Sequence, residues 1–275
     1  MANWLITGCS SGLGRALASV ALESGHNVVV TARDVASIED FSVSHPATAL
    51  VLTLDVTNDA QRSDVVGQSQ ERFGGIDVLV NNAGHGYRAA VEEARDDQVH
   101  ELFATNFFGA VALTQLVLPA MRAQRHGAIV NISSIAARSA PLGSGHYAAS
   151  KAALEALTAS LRKEVQPLGI TVMTVEPGGF RTNFTRALAQ PGETIDDYAE
   201  TVGARRHDDA ATDGRQPGDP DRAAGAILTA VASPSAPLVL VLGTDALARN
   251  RVAIEDFIGD LAAWEQTSLS TDFPS

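Results

Sequence analysis

Three side chains near the middle of the chain have the types and spacing to move a proton. Tyr147 and Lys151 lie four residues apart, a separation that puts both on one helix face with their long side chains side by side. Ser134 precedes Tyr147 by thirteen residues and follows a short apolar run at 128–130. An ammonium beside a phenol favours the phenolate, so the expectation is a Tyr147 pKa lowered toward neutrality. Such a tyrosine trades a proton with a substrate oxygen while the serine hydroxyl polarises the same oxygen. A solitary Tyr-x-x-x-Lys pair is more often plain helix surface. The surrounding sequence is what gives this pair its chemical weight.

A strand must end at Ser134 and a helix must carry Tyr147, and the chain supplies that alternation throughout. Apolar runs predict strands at 4–7, 27–31, 49–54, 76–81, 128–132, 170–175 and 238–242. They are apolar on both faces, as strands of a buried parallel sheet are. Helical segments are expected at 13–24, 59–73, 96–124, 146–166, 221–232 and 245–265, with Asp219-Pro220 reading as an N-cap followed by proline at the first helical position. Strand–helix alternation of this kind implies right-handed βαβ units and a doubly wound α/β fold. The whole of 1–275 reads as one domain. Only 178–218 breaks the rhythm, being polar and punctuated by Gly and Pro, and it is expected to lie over the ligand crevice as a substrate loop. A C-terminal helix and tail occupy 245–275.

Bulk properties narrow the partners. At 45% apolar and 19% charged, the composition supplies a large core. A net charge of −12 argues against nucleic acid or an anionic membrane as partner. The one cysteine, Cys9, has no internal disulfide partner, which suits a reducing compartment. The sequence enters an apolar strand directly after its first residues, and no apolar run approaches the length of a membrane span. A soluble cytoplasmic protein is expected.

Thr7-Gly-Cys-Ser-Ser-Gly-Leu-Gly14 joins the first predicted strand to the first helix. Gly8 permits the sharp turn, and Gly12 and Gly14, with Leu13 between them, let backbone and helix end approach a pyrophosphate. Ser10 and Ser11 add hydroxyls. The spacing is not G-x-G-x-x-G, and no Gly-Lys-Ser/Thr follows, so a phosphate-loop NTPase is not expected. Cys9 reads as a small packing residue. At the end of the second strand the chain reads Thr31-Ala-Arg-Asp34. Ala32 stands where an acid would take a ribose 2′-hydroxyl, and Arg33 after it favours NADP(H), with Asp34 leaving NAD(H) as the lesser alternative. Asp55 is placed either to accept from an adenine amino group or to cap the next helix. In Asn81-Asn82-Ala83-Gly84, small residues leave room for a ribose and the amides pin adjacent strands.

Taken together, the glycine turn, Asp55, Asn81-Asn-Ala-Gly84, Asn106, Ser134, Tyr147-x-x-x-Lys151 and Pro177-Gly178 resemble the short-chain dehydrogenase/reductase family over residues 1 to about 182. Within it, Thr31-Ala-Arg33 and Val175-Glu-Pro-Gly-Gly-Phe-Arg-Thr182 are similar to the 17β-hydroxysteroid and retinol dehydrogenase-like branch. Cys9 replaces a more usual alanine, and Ala137 a frequent glycine. The resemblance implies a Rossmann-like fold, a seven-stranded, mostly parallel sheet with helices on both faces. It implies that Tyr147 is the acid/base and that Lys151 lowers the Tyr147 pKa and binds the nicotinamide ribose. Ser134, rather than Ser133, then donates to the substrate oxygen. Asn106 would hold a water that relays protons to the lysine, and Thr182 would bind the nicotinamide carboxamide. The implied reaction is hydride transfer from NADPH to a ketone or aldehyde, or its reverse.

Tyr87, Pro141, Leu142, Phe180 and Phe184 flank these motifs and are candidates for an apolar substrate pocket. For the two phenylalanines, core packing is an equal reading. Small residues in helices 96–124 and 146–166, together with the family's habit of assembling through them, predict a homodimer or homotetramer. The C-terminal helix either alters that assembly or covers the sheet edge. No metal site is expected. Two other readings compete: a redox sensor that binds NADP(H) without turnover, and a nucleotide-sugar epimerase or dehydratase, whose glycine spacing differs.

Overall fold

The predicted apolar runs become strands whose bounds move by one or two residues. A computed structural model describes residues 1–273. The strands are β1 (Asn3–Ile6), β2 (Asn27–Ala32), β3 (Ala49–Thr53), β4 (Val78–Asn81), β5 (Gly127–Ile132), β6 (Ile170–Pro177) and β7 (Val239–Leu242). They form one seven-stranded sheet in the order β3-β2-β1-β4-β5-β6-β7. Every pairing is parallel, so "mostly parallel" tightens to wholly parallel among the described residues. Chain direction across the sheet reverses between β1 and β4, which opens a crevice at the strands' carboxyl ends.

Helices cover both faces. On one side α1 (Gly12–Glu23), α2 (Glu39–Ser44) and α9 (Pro220–Ala232) bury Leu17, Phe41 and Ile227. Asp219 caps α9 as expected, accepting from the Asp221 amide at 2.9 Å. On the other, α3 (Asp59–Phe73), α5 (Ala110–Gln124) and α7 (Gly145–Val165) bury Val65, Leu113, Val117, Met121 and Leu161. The segment expected as one helix at 96–124 is α4 (Asp96–Phe103), a wide π-helical turn (Ala104–Gly109) and then α5. This run is long and apolar enough to cross a membrane by length and composition, contrary to the expectation that no stretch approaches that length. In the fold its apolar side packs on the sheet.

Two expectations about the chain's later part change. Residues 178–218 are not simply irregular: they contain a 3-10 turn (Asp196–Tyr198), a π turn (Ala199–Gly203) and α8 (Ala204–Thr212). Helix α8 is fastened by ion pairs made far across the sequence, Arg206 to Glu93 and Arg88 Nε to Asp209 at 2.7 Å. Beyond the short α6 (Ala136–Ser139) and the other helices comes α10 (Thr244–Leu269), which ends four residues later than expected. Its root packs near β7, but beyond Asn250 it leaves the body and does not cover the sheet edge. Of the expected tail, Pro274 and Ser275 lie outside the described residues.

Candidate active site

The loop from β1 to α1 gains its shape from glycine and from amide pins. Gly8 and Gly12 have φ of +72° and +60°, values that favour glycine. A Cβ on Gly14 would stand 2.3 Å from Asn82 Nδ2 and 2.5 Å from the Gly8 carbonyl. Asn82 Nδ2 donates to the carbonyls of Thr7 (2.8 Å) and Gly8 (3.1 Å), while Thr7 Oγ1 accepts from the Asn82 and Ala83 amides. The turn is thereby stitched to the end of β4. Ser11, the N-cap of α1, makes no side-chain cap, so the first-turn N–H groups face the crevice without an internal partner.

The crevice is a cavity of about 400 Å³. Gly8, Ser10, Ser11, Gly12, Leu13, Gly14, Arg33, Asp55, Asn82, Ala83, Gly84, Pro177, Gly178 and Thr182 all line it, and so do Ser134, Tyr147 and Lys151. Phe180 and Phe184 line it too, and Phe184 tilts over the Tyr147 ring at 5.7 Å between centroids. The other three pocket candidates do not reach it. Tyr87 is buried behind Tyr147 and donates to Gln98 Oε1 at 2.8 Å. Leu142 is 61% exposed on the outer surface, and Pro141 lies beside it on the loop before α7, outside the lining. That loop is tied instead toward α8, because Arg88, paired with Asp209, donates to the Leu142 carbonyl at 3.1 Å. His85, Glu101 and Thr105 line the cavity without having been foreseen; position directly after the Asn-Asn-Ala-Gly run was the available signal for His85.

Asp55 does not cap α3. Its Oδ1 accepts from the Thr57 amide (2.9 Å) and hydroxyl (2.7 Å), whereas Asn58 provides the cap, accepting from Gln61 N at 3.1 Å. Cys9 is fully buried and donates to the Ile6 carbonyl, and burial pushes its thiol up to about 12. It is inert packing.

Asn106 sits in the π turn, 1% exposed. Its Oδ1 accepts from the His85 amide and its Nδ2 donates to the His85 carbonyl, both at 3.0 Å. The side chain therefore pins the loop after β4, and Nδ2 also reaches Ser150 Oγ at 3.2 Å. Those bonds occupy both amide hydrogens, so only an oxygen lone pair is left for the expected water. Deeper in, Asn81, Asn131, Thr114 and Thr158 form a buried chain of hydrogen bonds joining β4, β5, α5 and α7.

Electrostatics at the centre run opposite to the expectation for Tyr147. Burial pushes its phenol up to about 12, with the Ser134 hydroxyl and the Arg88 charge opposing. Lys151 Nζ is turned to the Ile132 carbonyl, to which it donates at 2.8 Å. Desolvation of the phenolate outweighs any nearby cation. Lys151 is itself pushed down to about 8 by burial, and the charge of Glu155, one turn further along α7, opposes that. Glu155 belongs to an unforeseen carboxylate pair. Ser133 Oγ donates to it at 2.6 Å, and Arg138 lies 3.5 Å from it and 3.2 Å from Glu176. The fully buried Glu176 also accepts from Asn250 Nδ2 at 2.7 Å. Burial, with Glu176 alongside, raises Glu155 to about 7.

A wholly parallel doubly wound sheet, with a glycine turn and a Ser–Tyr–Lys cluster opening on the same crevice, defines a dinucleotide-type α/β protein with acid–base groups at the switch point. Comparison with known proteins agrees. The family described as short chain dehydrogenase matches residues 2–192. The chain is 32% identical over 269 residues to an oxidoreductase, BOA17, of Botryotinia fuckeliana, covering 98% of each chain. A short-chain dehydrogenase from Streptomyces avermitilis has a solved structure 40% identical to this chain, with a TM-score of 0.93 and 99% of both chains covered. A short chain dehydrogenase/reductase from Burkholderia phymatum, in complex with NAD, shares the fold at 23% identity, a TM-score of 0.84 and coverage of 94% and 95%. The chain belongs to the short-chain dehydrogenase family of oxidoreductases.

Proposed function

We propose that the protein is an NADP(H)-dependent reductase of an apolar ketone or aldehyde, of the hydroxysteroid and retinol dehydrogenase-like branch, with Tyr147 as proton donor. One observation carries this reading: Ser134, Tyr147 and Lys151 open into the same cavity as the glycine turn.

The residues fit a dinucleotide. The uncapped first turn of α1 offers N–H groups to a pyrophosphate. Crowding at Gly8 and Gly14 leaves backbone rather than side chain facing the ligand. Arg33 lines the cavity at the end of β2, a position suited to a 2′-phosphate. One solved neighbour holds NADP+ and another NAD, so Arg33 and not kinship supports the phosphate. Lys151, with one internal acceptor for its three N–H donors, has donors left for ribose hydroxyls, and Thr182 lies within reach of Gly12 at the helix mouth. Bound there, the nicotinamide would supply a hydride.

The chain's own part is the proton. A phenol that stays protonated at neutral pH is in the form that donates to a carbonyl oxygen, which favours reduction over oxidation. Ser134 Oγ would donate to the same oxygen. Phe180 and Phe184 give the substrate side an apolar wall. The polar segment bearing α8 is the proposed lid, and through Arg88 it places a cation near Tyr147.

The test is Tyr147→Phe assayed over a carbonyl panel with NADPH and NADH. Turnover should fall by about a thousandfold or more, within the range of general-acid and electrostatic effects, with cofactor affinity nearly unchanged. A variant as active as wild type would remove the assignment. A wild type that binds NADPH but reduces nothing would favour the sensor.

A further inference from the structure

The distal half of α10 is an amphipathic helix with nothing of its own chain against it. From Arg251 to Phe273 every described residue except Ala253 is exposed. Ile254, Phe257, Ile258, Leu261 and Trp264 recur at steps of three and four, which aligns them along one side. Phe257 and Trp264 are each 64% exposed and Leu261 is 55% exposed, so this is a continuous apolar stripe and not scattered surface residues. The opposite side carries Glu255 and Asp256, and Asp260 borders the stripe beside Phe257 and Trp264.

A helix of this length in water draws its stability mostly from packing one face, and Gly259 at its middle weakens it further. The root, by contrast, is firmly held. Asp245 Oδ2 accepts from Gly179 N at 2.8 Å, and Asn250 bonds the buried Glu176. The stripe thus stands out from the body at a fixed place, without a cover.

The charges choose the cover. Arg251 and Glu265 flank the stripe at its two ends, fourteen residues apart and therefore on nearly the same side. In an antiparallel pair each Arg251 meets the Glu265 of the partner subunit; in a parallel pair like charges meet. The acidic outer side, and a net charge of −12, disfavour an anionic lipid surface.

We infer that α10 is a dimerisation arm: its Ile254–Phe257–Ile258–Leu261–Trp264 stripe packs antiparallel on the same stripe of a second copy of this chain, about a two-fold axis near Gly259. Ile254 then faces Trp264 of the partner subunit, and Phe257 faces Leu261 of the partner subunit. This face is separate from the one expected on helices 96–124 and 146–166, where Phe108 is 61% exposed; use of both makes a tetramer.

Light scattering on the full-length chain tests the arm. The wild type should run as an even multiple of the 28.7 kDa chain, and Phe257→Glu with Leu261→Glu should halve that mass. NADPH affinity should stay in place, because those side chains touch nothing in their own body, while the unfolding midpoint falls by what association contributed. Arg251→Glu should weaken association at least tenfold, and adding Glu265→Arg should restore it. Under oxidation, Ile254→Cys with Trp264→Cys should give a covalent dimer, whereas Ile254→Cys alone should not. An unchanged mass in the double glutamate variant overturns the inference. So does a disulfide from Ile254→Cys alone, or a wild type that stays monomeric and sediments with phosphatidylcholine vesicles.

Discussion

Replacing Glu155 by Gln should move the alkaline limb of carbonyl reduction to lower pH. Lys151 loses its proton near 8, and Glu155 becomes charged above about 7. Over the interval between, the carboxylate holds the proton on the lysine. Residues four apart on a helix begin about 5–6 Å apart. Two charges about 7 Å apart at an effective dielectric of about 20 attract by roughly 2 kcal/mol, or about 1.5 pKa units. Arg138, beside the same carboxylate, and solvent at the cavity mouth screen part of that, leaving an expected shift of about 0.5–1 unit. Glutamine still accepts from Ser133, so the local fold is kept. The measurement is kcat/KM for reduction from about pH 6 to 10 at saturating NADPH. The limb should descend in Glu155→Gln but not in Glu176→Gln, because losing the Glu176 charge lets Glu155 ionise at lower pH and hold the lysine proton more firmly. A limb that stays put while kcat falls would mean that the pair only props the structure, and a limb that rises would reverse the sign of the coupling.

Other outcomes are open to equally direct checks. Arg33→Ala should weaken NADPH about tenfold or more, the worth of a charge-assisted hydrogen bond, and leave NADH binding unchanged; titration calorimetry reads both. Gly14→Ala must displace Asn82 or the Gly8 carbonyl, at about 1–3 kcal/mol, and should appear as a similar loss of affinity for either dinucleotide. Arg88→Ala leaves Asp209 with Arg205 alone, 3.2 Å away, and removes the bond to the Leu142 carbonyl. The loss of about 2 kcal/mol, that of a hydrogen bond to a charged group, should lower the midpoint of thermal unfolding by a few degrees and raise KM as the lid loosens. Ser134→Ala should reduce turnover about a hundredfold with little change in KM.

Much of the fold and site is legible in the sequence because it depends on neighbours along the chain. Apolar runs of four to eight residues can only be buried strands here, and the glycine turn, Asn82 and the Tyr–Lys pair carry their geometry in their spacing. The features that escape such a reading depend on distance. Helix α8 is polar and short, and its anchors are Glu93 and Arg88, more than a hundred residues earlier. A neighbour in sequence suggests a lowered Tyr147 pKa, whereas burial decides it in the other direction. Glu155 is within reach of sequence reasoning, being one helical turn after Lys151, but its partner Glu176 lies on another strand. Proximity along the chain points to Tyr87 and Leu142 as pocket walls, and the fold turns one inward behind the site and the other to solvent.

The wide turn at Ala104–Gly109 has a consequence for how this helix tolerates change. Such a bulge absorbs one surplus residue without rotating the downstream turns, so Leu113, Val117 and Met121 keep their seats on the sheet. Within the turn, Asn106 is held against the His85 backbone. Excising Phe107 should therefore leave a well-folded protein whose helix is regular throughout and whose loop after β4 has lost its tether.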